Sequence, residues 1–140
     1  KMNNLRLSLV YLFVAILLIS CGAPYAGTYQ AKESEYFEVL EKSRNIGDAG
    51  VVMSALKSEV GDDWNTVKIK KDSIVINGSK QSIKVVGKDL YVDISDTLKE
   101  LEKYIGSVAS DIERNQKWGT FSSDYSSITT TAGYKYYKVK

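Results

Sequence analysis

The run TVKIKKDSIVINGSKQSIKVVGKDLYVDI, Thr66 to Ile94, decides the fold. Its apolar residues alternate. Val67 and Ile69 share one face of a first segment, and Ile74 and Ile76 share one face of a second. Period-two alternation is the mark of a strand with one buried side. Lys71-Asp72, Asn77-Gly78-Ser79 and Gly87-Lys88-Asp89 fall between the segments, and Asn-Gly is the strongest short hairpin signal. Thr66–Lys70, Ser73–Asn77, Ser82–Val86 and Leu90–Ile94 therefore read as four strands of an antiparallel meander.

Downstream, Leu98, Leu101, Ile105, Val108 and Ile112 recur at three- and four-residue spacing with Tyr104 beside them, and Ser95 or Asp96 is placed to cap them. This predicts an amphipathic helix over 96–115, packed on the sheet. Thr129–Thr131 and Tyr134–Val139 form a hairpin pattern around Ala132-Gly133. Upstream, Gly27–Gln30 reads as a first strand. Lys32–Ser43 reads as a helix with Tyr36, Phe37, Val39 and Leu40 on one face, and a second helix runs from an Asp48 cap to a Gly61 stop. The expected class is α+β: a mainly antiparallel sheet of about six to seven short strands, with helix 96–115 and one or two N-terminal helices on it. The alternative is a small barrel or half-barrel whose mouth the long helix covers.

The N-terminus reads as a targeting segment, with Met2 as initiator. Arg6 precedes an apolar run, Leu7–Ile19, interrupted only by Ser8. That length suits a signal-peptide core and is short of the roughly 20 apolar residues of a membrane span. The run ends in Leu18-Ile19-Ser20-Cys21, and Cys21 is the only cysteine. This stretch resembles the lipobox of bacterial lipoproteins, departing from it only in Ile19, where smaller residues are commoner. The resemblance covers the first 21 residues and implies cleavage before Cys21, thioether linkage of its thiol to diacylglycerol and acylation of its amine. Several acyl chains on one residue make a stable anchor where one does not. The resemblance also implies an envelope location, and Gly22, rather than Asp, implies the outer membrane in a Gram-negative cell that follows the enteric sorting rule. The expected organisation is a signal peptide over 1–20, a lipidated tether over 21–26 containing the only proline, Pro24, and one domain over 27–140.

Lys1 and Arg6 are the only charged residues ahead of Cys21, so 17 basic residues face 17 acidic ones beyond it. A net charge of zero argues against nucleic acid as a partner and against a polybasic membrane face. The chain has no histidine, which removes His triads and His metal sites, and no phosphate-binding glycine loop. No cofactor and no metal are expected. Ser54-Ala55-Leu56-Lys57 matches the Ser-x-x-Lys pattern of penicillin-interacting enzymes, and Ser123-Asp124-Tyr125 loosely echoes their second element. No Lys-Thr-Gly follows, and the chain is too short for that fold. Asp62-Asp63 lacks the further oxygen ligands of a calcium loop. Asp93 and Asp96 could meet at a strand end, although Asp96 reads more simply as a helix cap.

The informative feature beyond Cys21 is aromatic. Nine tyrosines and two tryptophans follow it. Alternation sets Tyr134 and Tyr136 on one face of the last strand and Tyr137 and Val139 on the other. Trp118, Tyr134, Tyr136 and Tyr137 are the candidate interaction patch, since tyrosine and tryptophan dominate binding hot spots. The function these features favour is a lipid-anchored, non-catalytic module that binds another envelope protein, of the immunity, exclusion or assembly-accessory type. Two alternatives are a carrier of a small lipid or glycan, which would need a tyrosine-lined pocket, and a peptidoglycan-acting enzyme, which would need two opposed carboxylates in a cleft.

Overall fold

A computed structural model describes residues 23–43, 47–106 and 112–140. In chain order the elements are β1 (Gly27–Ala31), α1 (Glu33–Lys42), α2 (Ala49–Val60), β2 (Thr66–Ile69), β3 (Ser73–Ile76) and β4 (Ser79–Val86). There follow β5 (Asp89–Asp93), α3 (Ser95–Ile105), β6 (Asn115–Phe121), β7 (Ser127–Thr130) and β8 (Lys135–Lys138). Each strand pairs antiparallel with the next, and β8 returns to β1 through Tyr29 opposite Lys138, Gln30 opposite Tyr137 and Ala31 opposite Tyr136. The sheet is a closed eight-stranded up-and-down barrel.

This corrects the α+β expectation of an open sheet with helices packed on it. The meander is present, but its two ends join. Closure pairs the backbone groups that edges at β1 and β8 would leave open, and eight strands enclose a space that side chains can fill. The helices lie in the β1–β2 and β5–β6 connections, which leave the same end of the barrel. The helix expected over 96–115 stops at Ile105, where Gly106 takes a φ of 61° that ends a helix cheaply only for glycine. Leu98 is buried, whereas Leu101, Tyr104 and Ile105 are exposed, so α3 is not packed along the sheet. Val108 lies outside the described residues. The cap also differs: Ile94 holds the cap position, and Asp93 accepts hydrogen bonds from the Ser95 N–H and hydroxyl.

The hairpin signals translate directly. Asn77 and Gly78 have φ values of 51° and 78°, which make the two-residue turn whose twist matches paired strands. Replacing Gly78 by Val should cost about 1–2 kcal/mol of stability in urea denaturation, the penalty for a β-carbon in the left-handed region. The α2 expectations also match the structure: Asp48 Oδ1 accepts from Gly50 N at 2.9 Å, and Gly61 closes the helix at φ 83°.

The barrel interior is filled from the end opposite the helices. Tyr29, Val67, Ile69, Ile74, Leu90 and Ile128 are fully buried, with Phe121 among them. At the end opposite the helices, Tyr25 stacks on Phe121 with ring centroids 5.6 Å apart, and Tyr125 meets Phe121 edge-on. The Tyr29 hydroxyl donates toward the carbonyls of Tyr25, at 2.8 Å, and Tyr125, at 3.1 Å. Tyr25 donates to Lys71 O, and Lys138 Nζ donates to Pro24 O at 3.0 Å. These bonds dock residues 23–26 across the barrel and make a floor.

Candidate functional site

The helical end is open. Here a cleft of about 310 Å³ lies over the filled core. Three parts of the chain build it. In β6 the register slips between Leu90, opposite Gly119, and Tyr91, opposite Lys117, so Trp118 is the extra residue of a bulge. The end of β7 supplies Thr130, the β7–β8 turn supplies Thr131 and Tyr134, and β8 supplies Tyr136. The connection from β1 to β2 brings Tyr36 from α1 and Trp64 from the turn after α2.

The rings pair in two groups. Tyr36 stacks on Tyr134 at 4.3 Å with 27° between planes and meets Trp64 edge-on at 5.2 Å, while Trp118 lies 5.8 Å from Tyr136. The stacked and edge-on geometries are those aromatic quadrupoles favour. Thr130 Oγ1 accepts from Tyr134 N at 3.0 Å and fixes the turn that carries this ring. Asn77 from the β3–β4 turn adds an amide to the rim. No Asp, Glu, Lys or Arg is among the lining residues. Burial raises the pKa of Tyr36, Tyr134 and Tyr136, so all three present neutral hydroxyls.

Of the four candidate patch residues, the structure gathers Trp118, Tyr134 and Tyr136 in this cleft and sets Tyr137 apart. Tyr137 faces outward and donates to the Glu35 carboxylate at 2.9 Å, with Lys32 Nζ 4.6 Å from the ring centre. It ties α1 to β8. Tyr36 and Trp64 complete the cleft, and neither is legible as a site residue in sequence. Tyr36 carries the same signal as a core position of an amphipathic helix, and Trp64 stands alone after two acidic residues. Cys21 and the whole of 1–20 lie outside the described residues.

Of the other sequence candidates, only Asp93 and Asp96 are brought together. Ser54 and Lys57 are exposed on α2, where Lys57 pairs with Glu33, while Ser123–Tyr125 lie in the β6–β7 turn at the opposite end. Asp62 and Asp63 are exposed in a turn. Asp93 and Asp96 do share a polar cleft of about 350 Å³ with Glu100, beside β4. The Ser95 hydroxyl and N–H, however, hold the Asp93 carboxyl below its usual range. A lowered pKa is the opposite of what a general acid needs. Among the described residues no group of three His, Cys, Asp or Glu could hold a metal ion.

The tyrosines set an alkaline limit. Tyr29 is pushed up to about 12 from 10.0, mainly by burial, and Tyr25, Tyr36, Tyr134 and Tyr136 are raised in the same direction. A raised folded-state pKa gives stability that is complete below the unfolded value and is lost as pH climbs toward the folded one. Stability should therefore be flat near neutrality and fall between about pH 10 and 12. Tyrosinate absorbance should rise with loss of structure in one transition; independent titration of these rings in a still-folded barrel would contradict this.

No family model, no curated protein and no solved structure matches this chain.

Proposed function

We propose that the protein is a lipoprotein of the cell envelope, anchored through acylated Cys21, that binds a small neutral glycan in the cleft at the open end of its barrel without acting on it chemically. The observation that carries this reading is the cleft wall: two tryptophans and three tyrosines, interleaved with threonine hydroxyls and the Asn77 amide, and no charged side chain. Small-molecule sites combine such apolar faces with a few placed polar groups, and about 310 Å³ is at the lower end of their volumes. Sugar rings offer C–H faces to stack on aromatics and hydroxyls that pair with neutral donors and acceptors. A lipid tail would need an apolar channel into the barrel, and Tyr29, Ile69, Leu90 and Ile128 fill that space.

Calorimetric titration with cellobiose, chitobiose and maltose tests this. At least one should bind, and Trp118→Ala or Tyr134→Ala should weaken it about tenfold, the worth of one aromatic face. Absence of heat with all three, from protein shown to be folded, would remove the glycan reading.

A second reading, a module that docks on another envelope protein, is favoured by α3. Leu101, Tyr104 and Ile105 are exposed there, Tyr104 at 85%. Crosslinked capture from the native envelope, with a Cys21→Ala copy as control, should then return one partner in near-equal amount, and Leu101→Glu with Ile105→Glu should release it.

A further inference from the structure

The balance of charge beyond Cys21 conceals a polarity along the barrel. The closed end carries Lys70 and Lys71 in the β2–β3 turn, Lys88 in the β4–β5 turn, and Lys138 and Lys140 where β8 ends. Its three carboxylates are Asp72, Asp89 and Asp124. Of these, Asp89 is paired with Lys117 at 3.2 Å, and Asp124 is bound by the hydroxyls of Ser122 and Ser126. The helical end has the opposite sign: α1 alone bears Glu33, Glu35, Glu38 and Glu41 against Lys42.

Two further observations fall on the same closed end. The chain arrives there, with Ala23–Ala26 docked on the floor by the Lys138–Pro24 and Tyr29–Tyr25 bonds, and Cys21 is two residues before Ala23. Val86 and Val139 are half exposed on this rim, each next to a lysine or a lysine-bearing turn. Val86 ends β4 and Val139 directly follows β8, strands four apart in a ring of eight, so they stand on opposite sides of the barrel. Apolar tips flanked by lysines suit the boundary between headgroups and acyl chains, and a modest basic surface reinforces an acyl anchor.

We propose that the closed end seats directly on an anionic phospholipid surface, with Lys70, Lys71 and Lys140 against the phosphates, so that the aromatic cleft points away from the membrane. The inference rests on the membrane anchorage proposed above and is independent of what the cleft binds.

The test is footprinting of the full chain reconstituted on vesicles of phosphatidylglycerol or of phosphatidylcholine. Amine acylation reads the lysines, and hydroxyl-radical oxidation reads Val86 and Val139. On phosphatidylglycerol, Lys70, Lys71 and Lys140 should react about fivefold more slowly than on phosphatidylcholine, the factor one lysine's attraction to an anionic surface is worth. Lys42 and Lys57 should not change, and high salt should abolish the difference. Lys70→Glu, Lys71→Glu and Lys140→Glu together should expose Val86 and Val139 again; all three sites are exposed, so folding is not at stake. Equal labelling on both lipids, or protection at α1 instead, would overturn the seating. Protein that floats with phosphatidylglycerol alone would support the seating while refuting the acyl anchor. Protein that floats with neither would refute both.

Discussion

Tyr29→Ala should cost about 3–5 kcal/mol, much of the 5–15 kcal/mol that holds a typical domain folded. Tyr29 is wholly buried on β1, the strand that closes the ring against β8. Its ring packs against Phe121, 6.0 Å between centroids, and its hydroxyl serves the carbonyls of two floor segments, Tyr25 and Tyr125. The substitution removes the largest fully buried side chain among the described residues and unlatches residues 23–26. Tyr29→Phe keeps the ring and should cost only about 1 kcal/mol, the net worth of a hydrogen bond. Urea denaturation at neutral pH separates the two. An Ala variant within about 1 kcal/mol of the parent would mean that this end of the barrel is not packed as described.

Gly119→Val should be comparably damaging. A β-carbon at Gly119 would lie 2.8 Å from the carbonyl oxygen of Thr129, on the paired strand, and 3.1 Å from Ile128 Cγ1. The first contact is with backbone, so β6 and β7 would have to separate. Overpacking of this kind costs about 1–3 kcal/mol, with Ala at the low end and Val at or above the top. Gly119 directly follows the bulged Trp118, so the strain should also shift the cleft. Gly119→Val should lower the melting temperature and blue-shift or red-shift tryptophan emission together. A parent-like melting temperature would place the glycine elsewhere than in the β6–β7 contact.

Much of the barrel is legible in the sequence, because its strands are local patterns. Val67 and Ile69, Ile74 and Ile76, and the Asn77-Gly78 turn announce the meander. Closure is not legible. Strand β1 meets β8 across more than a hundred residues, and alternation reads the same in an open sheet as in a ring. Strand β6 was hidden because Asn115, Gln116 and Lys117 are exposed and the bulge at Trp118 breaks the alternation. The overlong helix came from apolar spacing that runs past Gly106, whose left-handed φ outweighs it. Part of the site was visible for the same local reason: Tyr134 and Tyr136 alternate onto one face. Tyr36 and Trp64 join them only through the fold of the α1–α2 connection, which no spacing encodes.

The central claim is that the aromatic cleft is a binding site, and the chain offers a clean probe of it. Trp64 and Trp118 are its only two tryptophans, and both line the cleft. The two indole N–H signals in a nitrogen-15 NMR spectrum therefore report on this site alone. Titration with chitobiose, cellobiose and maltose should move both signals with at least one sugar, on one saturable curve, and Tyr134→Ala should flatten that curve while the remaining spectrum stays folded. Indole signals that stay fixed with every sugar, well beyond millimolar concentration, would contradict the account.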